Sequence, residues 1–365
     1  MKKILPLLII AMFAAGCDQP ALNVSSTIPK TPEHQKTALK NEPPKPLPVP
    51  ENPQFVILAF DGSKDLNKWQ ETLDFAKAQT QAGKPLRFTY FVSGVYFLDY
   101  ANRLVYEPAG NPKGESKIGF ANSLDDIRKR VAFVNRAISE GHEIGSHLNG
   151  HFDGSLWSAA EWNSELTQFD NFLFNVSSNN KAGDNSSSLT LDLKPEDIAG
   201  FRAPNLGRDD AMWPALVKNG FQYDASMTGK ANIWPVKRTD GLWEFPLASI
   251  NFADKGTKIL SMDYNFYFKQ TGATDKVKRG DQKWDDYYNQ VYASYLNYFE
   301  QNYTGNRAPV FIGSHFSDWN DGLYWQALKD FASEVCGKPA VVCTSYKELM
   351  EYLNAKDQPK ESGKP

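Results

Sequence analysis

The sequence predicts an α/β fold built on a parallel sheet, open or closed into a barrel, and three observations carry that prediction. Apolar runs alternate with helical patterns along most of the chain, the order expected of strand–helix–strand units. Phe55-Val56-Ile57-Leu58-Ala59-Phe60 is apolar without interruption, as suits a strand buried on both faces of a parallel sheet. Asp61, His147, Arg202 and His315 each come directly after a predicted strand. In parallel barrels the carboxyl ends of the strands face one side, so four distant segments are expected to converge on one site.

Taken in order, the first strand stops at Asp61-Gly62-Ser63, and a helix follows with Trp69, Leu73 and Phe75-Ala76 as its apolar stripe. A second strand covers 87–92. Ser123 and Asp126 mark a helix start, Ile127, Val131, Val134 and Ile138 continue it on one face, and Gly141 ends it. The next strand spans 142–146, and His142 at its beginning is expected to be structural. Helical patterning runs over 157–174, and the polar stretch 175–188 is expected to be a surface loop. A short strand at 198–201 ends at Arg202-Ala203-Pro204, followed by a helix at 213–217 and a strand at 221–223. The less regular stretch 228–281 offers 242–246 and 259–268 as strands, and 285–303 is a tyrosine-rich helix. The strand 309–314 ends at His315, and helices at 323–331 and 346–353 close the fold.

The N-terminus is expected to lie outside the globule. Lys2 and Lys3 precede an apolar run over 4–15, and Ala14-Ala15-Gly16 leads into Cys17, the pattern of a signal peptide cleaved before a cysteine. That run is too short to span a bilayer. It looks like a bacterial lipoprotein box, with Cys17 lipidated and holding the protein on a membrane. Asp18 resembles the enterobacterial signal for retention at the inner membrane, so the expected location is the cell envelope, on the periplasmic side in a Gram-negative cell. Residues 17–52 read as a Pro-rich tether, 53–355 as the globular domain and 356–365 as a disordered tail. Export favours a disulfide between Cys336 and Cys343, the two cysteines besides Cys17. Removing 1–16 moves the formal charge from −3 to −5, and with no basic block nothing suggests nucleic acid. Nine tryptophans suit stacking on sugar rings, with Trp157, Trp162, Trp319 and Tyr264 as candidates, although core packing competes for at least half of them.

Three of the five histidines fall in Gly141-His142-Glu143-Ile144-Gly145-Ser146-His147-Leu148-Asn149-Gly150-His151. Two imidazoles four residues apart, His147 and His151, can point at one cation, and a catalytic site needs about three protein ligands and an open position. On spacing alone, packed or surface histidines remain an equal alternative. The zinc-protease helix is excluded, because Leu148 stands where that motif needs Glu.

In this order and spacing the residues resemble the polysaccharide deacetylase family, which includes chitin and peptidoglycan N-deacetylases. The family's Thr-Phe-Asp-Asp-Gly looks like Ala59-Phe60-Asp61-Gly62-Ser63, and its His-(Ser/Thr)-x-x-His after Gly-His-Glu looks like Gly141-His142-Glu143 with His147 and His151. Its Arg-x-Pro is present as Arg202-Ala203-Pro204, and its strand ending in His is similar to Ile312-Gly313-Ser314-His315. Phe201-Arg202-Ala203-Pro204-Asn205 before Gly220-Phe221-Gln222-Tyr223-Asp224-Ala225-Ser226 looks closest to the branch containing animal chitin deacetylase-like proteins. The resemblance covers 54–353 and implies a distorted (β/α) barrel of about seven strands.

It also implies metal-assisted hydrolysis of an acetamide on an N-acetylated glycan, whether peptidoglycan, a chitin-like polymer or an exopolysaccharide. His147 and His151 would hold a divalent metal, usually zinc, and Asp61 would be the base. Arg202 would orient Asp61, His315 would protonate the departing amine, and the Asn205 N–H would help stabilise the oxyanion. The chain departs from the pattern at Gly62, where the family has the aspartate that binds metal. Asp61 then serves either as base, with Asp65, Asp153 or water completing the site, or as metal ligand with another base. The alternatives are a catalytically weak glycan-binding protein on this fold and an amidohydrolase acting on a non-sugar amide. No counterpart is evident for the Asp-and-Trp motif that positions the arginine in bacterial members.

Overall fold

The computed structural model describes residues 44–183 and 189–357. The expected signal peptide, Cys17, most of the tether and most of the tail lie outside the described residues. Strands are β1 (Gln54–Gly62), β2 (Thr89–Val92), β3 (Glu143–Ser146), β4 (Gly200–Phe201), β5 (Tyr223–Asp224), β6 (Thr228–Lys230), β7 (Val236–Lys237), β8 (Trp243–Glu244), β9 (Leu247–Phe252), β10 (Thr257–Leu260), β11 (Val310–His315) and β12 (Val341–Thr344). Helices are α1 (Leu66–Gln81), α2 (Leu124–Ser139), α3 (Ala159–Phe174), α4 (Val176–Asn179), α5 (Met212–Lys218), α6 (Asp263–Thr271), α7 (Gln282–Thr304), α8 (Trp319–Val335) and α9 (Tyr346–Asp357).

The main sheet runs β11-β1-β2-β3-β4-β5-β8-β7, with β12 also on β1. Its first seven strands are all parallel, and only the edge strand β7 is antiparallel. A smaller sheet, β10-β9-β6, lies beside β11, where the Gly313 N–H donates to the Ser261 carbonyl at 2.9 Å. The whole is a curled, distorted (β/α) barrel, as expected.

Side-chain alternation in β1 explains both the curl and the site. Val56, Leu58 and Phe60 pack in the larger cluster with the helices, whereas Phe55, Ile57 and Ala59 join Phe91, Phe245, Phe311 and Tyr346 in a second, inner cluster. With a period of two, Asp61 is the next inward residue, at the carboxyl end of the strand. Glycines make room inside. A Cβ at Gly145 would meet the Phe91 ring at 2.7 Å, and one at Gly200 would meet Tyr223 at 1.9 Å.

α9 packs its Tyr346, Leu349 and Met350 into the inner cluster. Leu47 docks against the same cluster, and Arg87 ties the Lys45 carbonyl, at 2.6 Å, to the Glu348 carboxylate. Lys45 and Leu47, upstream of 53, therefore already rest on the barrel. Cys336 and Cys343 are joined, linking the end of α8 to β12.

Three expectations about elements change. The run 259–268 is strand only to Leu260, and α6 begins at Asp263, which sits in the helix's first turn where a carboxylate is favoured. Its aromatics suggest a strand, yet the helix buries Phe266 and Tyr267 together on one face. The stretch 175–188 is not all loop, since α4 opens it; 184–188 lie outside the described residues. β12, unanticipated, pairs Val341–Thr344 with the first residues of β1.

Candidate active site

Strand register brings the candidate residues together. β1 and β11 pair with Asp61 opposite His315. β3 pairs with β4 through Ser146 and Phe201, and the Arg202 N–H donates to the Ser146 carbonyl at 2.9 Å, which sets Arg202 beside His147. An open cleft of about 470 Å³ is lined by Asp61, His147, His151, His315 and Trp319 among others.

Arg202 is fully buried and meets Asp61 Oδ1 through Nη1 at 2.8 Å. Its other donors are also used, Nε to the Ala225 carbonyl at 3.1 Å and Nη2 to the Tyr346 hydroxyl at 2.8 Å. The guanidinium lies 4.5 Å from the centre of the Phe91 ring. Burial alone would raise the Asp61 pKa, but the Arg202 guanidinium outweighs it and holds the carboxylate below its ordinary value. Asp61 is therefore an ionised carboxylate with one oxygen tied down.

His147 Nδ1 lies 2.8 Å from the Arg202 carbonyl. A carbonyl only accepts, so Nδ1 carries the proton and Nε2 presents a bare lone pair. That Nε2 is buried and has no hydrogen-bond partner. Burial, with His151 adding to it, pushes the His147 pKa down to about 3, and burial lowers His151 as well. The two rings are 5.2 Å apart, centre to centre. The loop carrying them is held open by left-handed backbone at Leu148 and His151 (φ 51° and 60°). It is tied to α3, where Asn149 Nδ2 donates to the Glu165 carboxylate at 2.8 Å, and the Gly150 N–H donates to the Tyr106 hydroxyl at 3.1 Å. Two neutral imidazoles, one with a buried and unpartnered nitrogen, fit a divalent metal.

A third donor is not gathered with them. Among the described residues no cluster of three or more His, Cys, Asp or Glu side chains forms a metal cage. The two carboxylates suggested to complete the site are engaged elsewhere. Asp65 caps α1, accepting from the Lys68 N–H at 2.9 Å, and Asp153 is exposed and accepts from the Ser155 N–H at 2.9 Å. Gly62 leaves the missing carboxylate's space open, since a Cβ there would meet only the Tyr96 ring, at 4.0 Å.

His315 faces the opposite situation. Its Nδ1 and its backbone N–H both lie 2.7 Å from the Asp263 carboxylate, which also accepts from Ser314 Oγ at 3.0 Å. Burial works against the charge, but Asp263, aided by Asp61, raises the His315 pKa above its ordinary value. Asp263 and Tyr346 are the two residues of the site that the sequence did not reveal. Asp263 opens α6 three residues after β10 ends at Leu260, so no strand end marks it in the sequence.

The other candidates divide. Asn205 lies on the turn Pro204–Leu206 with φ 55°, its side chain is exposed, and it is not among the cleft-lining residues. His142 is structural, its Nδ1 accepting from the Phe88 N–H at 2.9 Å. Trp157 and Trp162 are core, with rings 4.8 Å apart, whereas Trp319 lines the cleft and Tyr264 stands beside it.

No protein-family model matches the chain, and no curated protein does. Among solved structures, a candidate polysaccharide deacetylase from Mycobacterium smegmatis is similar over 89% of this chain and 99% of its own, at 15% identity and a TM-score of 0.54. The allantoinase Puue is similar over 85% of this chain and 95% of its own, at 12% identity and a TM-score of 0.51. The chitin deacetylase of the fungal pathogen Colletotrichum lindemuthianum aligns over 82% of this chain and 89% of its own, at 15% identity and a TM-score of 0.43. At such identities the first two likenesses speak for the fold alone, so this chain has the distorted barrel that a polysaccharide deacetylase and an allantoinase share, and its chemistry has to be read from its own cleft.

Proposed function

We propose that the protein is a metal-dependent hydrolase that removes the N-acetyl group from a glycan: peptidoglycan, a chitin-like polymer or an exopolysaccharide. The observation that carries it is one cleft in which Asp61, held by Arg202, stands with two imidazoles whose pKa values are lowered and one imidazole paired with Asp263.

His147 and His151 would hold the divalent metal, zinc by donor type, which polarises the amide carbonyl and acidifies water. Asp61 takes the proton from the attacking water, and Arg202 keeps that carboxylate ionised and aimed. Because Nδ1 of His315 is paired with Asp263, its Nε2–H is the acid that protonates the amine nitrogen as the C–N bond breaks. Acetate and a free amine are the products. Cys17 would anchor the protein to a membrane of the bacterial envelope.

Metal content and acetate release from chitotetraose and peptidoglycan, measured for wild type and Asp61→Asn, test this. About one metal per chain in both, with release lost in the variant, is expected. Loss of metal in Asp61→Asn would make Asp61 a ligand and require another base. A wild type that never holds metal would leave the glycan-binding alternative, and activity confined to small amides such as allantoin would favour the non-sugar amidohydrolase.

A further inference from the structure

The wall that carries His315 continues as an aromatic surface that the reaction above does not use. The Trp319 ring centre is 5.4 Å from that of His315. Behind it Tyr267 is stacked at 4.8 Å and 3°, and Tyr267 is itself buried. The backbone after Trp319 is left-handed at three successive residues, Asn320, Asp321 and Gly322 (φ 50°, 58° and 72°), a conformation Asn and Asp adopt singly but rarely in succession. Asn320 is tied on every side. Its N–H donates to Asp275 at 2.7 Å, its Nδ2 to the Tyr324 hydroxyl at 2.9 Å, and its carbonyl accepts from Trp284 Nε1 at 2.8 Å. Strained backbone that is over-determined in this way collects at ligand clamps, and here it fixes an indole at the cleft. Further out, α6 presents Tyr264, 44% exposed and 5.6 Å from Trp319, and Phe268, 60% exposed, one helical turn on.

The place of His315 decides what this surface would hold. Its proton goes to the amide nitrogen, and in an N-acetylated sugar that nitrogen is bonded to a ring carbon. The pyranose ring therefore lies on the His315 side, next to Trp319, while the acetyl group points toward Asp61 and the two imidazoles. We propose that Trp319, backed by Tyr267, stacks against the pyranose that bears the scissile acetamide, and that Tyr264 and Phe268 carry the next ring of the chain. The substrate is then an oligomeric glycan rather than a monosaccharide or a small amide. This rests on the deacetylase reading and adds to it the residues that select the substrate.

Acetate release by the metal-loaded full chain from N-acetylglucosamine, chitotetraose and 4-nitroacetanilide tests it, with thermal melts confirming that each variant folds. Trp319→Ala is expected to raise KM for chitotetraose about tenfold while kcat changes far less, with Trp319→Phe recovering most of the loss. The ratio of kcat/KM for chitotetraose to that for 4-nitroacetanilide falls with it. Phe268→Ala raises KM for the tetramer but not for the monomer. A Trp319→Ala variant that loses kcat equally on every substrate, with KM unmoved, would show that Trp319 only positions His315 and overturn the proposal. Equal wild-type kcat/KM on monomer and tetramer would overturn the second ring site. A wild type active on 4-nitroacetanilide and on no glycan fails before any variant is made, and that outcome sinks the deacetylase reading itself.

Discussion

His147 and His315 line one cleft, and each places Nδ1 within 2.8 Å of an oxygen, yet they are opposite kinds of group. The oxygen facing His147 belongs to a carbonyl and brings no charge, so burial wins and the ring stays neutral. The oxygen facing His315 belongs to the Asp263 carboxylate, which outweighs burial and raises the pKa of the ring above its ordinary value. One side of the cleft is thereby suited to a cation and the other to giving up a proton. The main difference lies in the atom behind each imidazole, to which the lesser depth of His315 adds.

The largest effect is expected where the contrast is removed outright. His147→Ala deletes the imidazole with the bare nitrogen, and both bound metal, by elemental analysis, and acetate release should fall to background. His315→Gln should keep the metal while lowering kcat by about 10²–10⁴-fold, because in the proposed mechanism it removes only the acid. Asp263→Asn makes the His315 wall resemble the His147 wall. Since the carboxylate raises the His315 pKa, its loss lowers that pKa, so the protonated form disappears at lower pH as the solution becomes alkaline. The alkaline limb of the kcat profile should shift to lower pH, with the deficit largest at high pH and closing toward acid. Gly145→Ala acts on the support beneath the contrast. The added methyl meets Phe91, the ring against Arg202, and should cost about 1–3 kcal/mol of stability in a denaturant melt. Asp65→Ala sets the lower bound, costing about 1 kcal/mol through the lost α1 cap and leaving metal content unchanged.

What was legible in the sequence is what stands next to a strand. Asp61, His147, Arg202 and His315 announce themselves because each follows an apolar run, and parallel strands deliver such residues to one place. The partners that tune them are not adjacent to anything diagnostic. Asp263 reaches His315 across 52 residues, and Tyr346 reaches Arg202 across 144. Asp263 was further hidden by the aromatic run after it, which suggests a strand by propensity and becomes a helix because tertiary burial of Phe266 and Tyr267 prevails. Asp65 shows the converse error, in which a carboxylate near the motif invites a metal role while its position before α1 makes it a cap. Trp157 and Trp319 have the same side chain, and no local pattern separates the one in the core from the one at the cleft.

The phenol of Tyr346 gives the site an order of assembly. Asp61 is made first, its Arg202 partner 141 residues later, and the hydroxyl that takes the last guanidinium edge a further 144 residues on. β12, which delivers that tyrosine, pairs with the strand that carries Asp61, so the end of the fold closes on its beginning. A chain leaving the ribosome N-terminus first thus lacks one partner of Arg202 until its last helix docks, and the cleft's hydrogen-bond network is completed with the fold rather than during it.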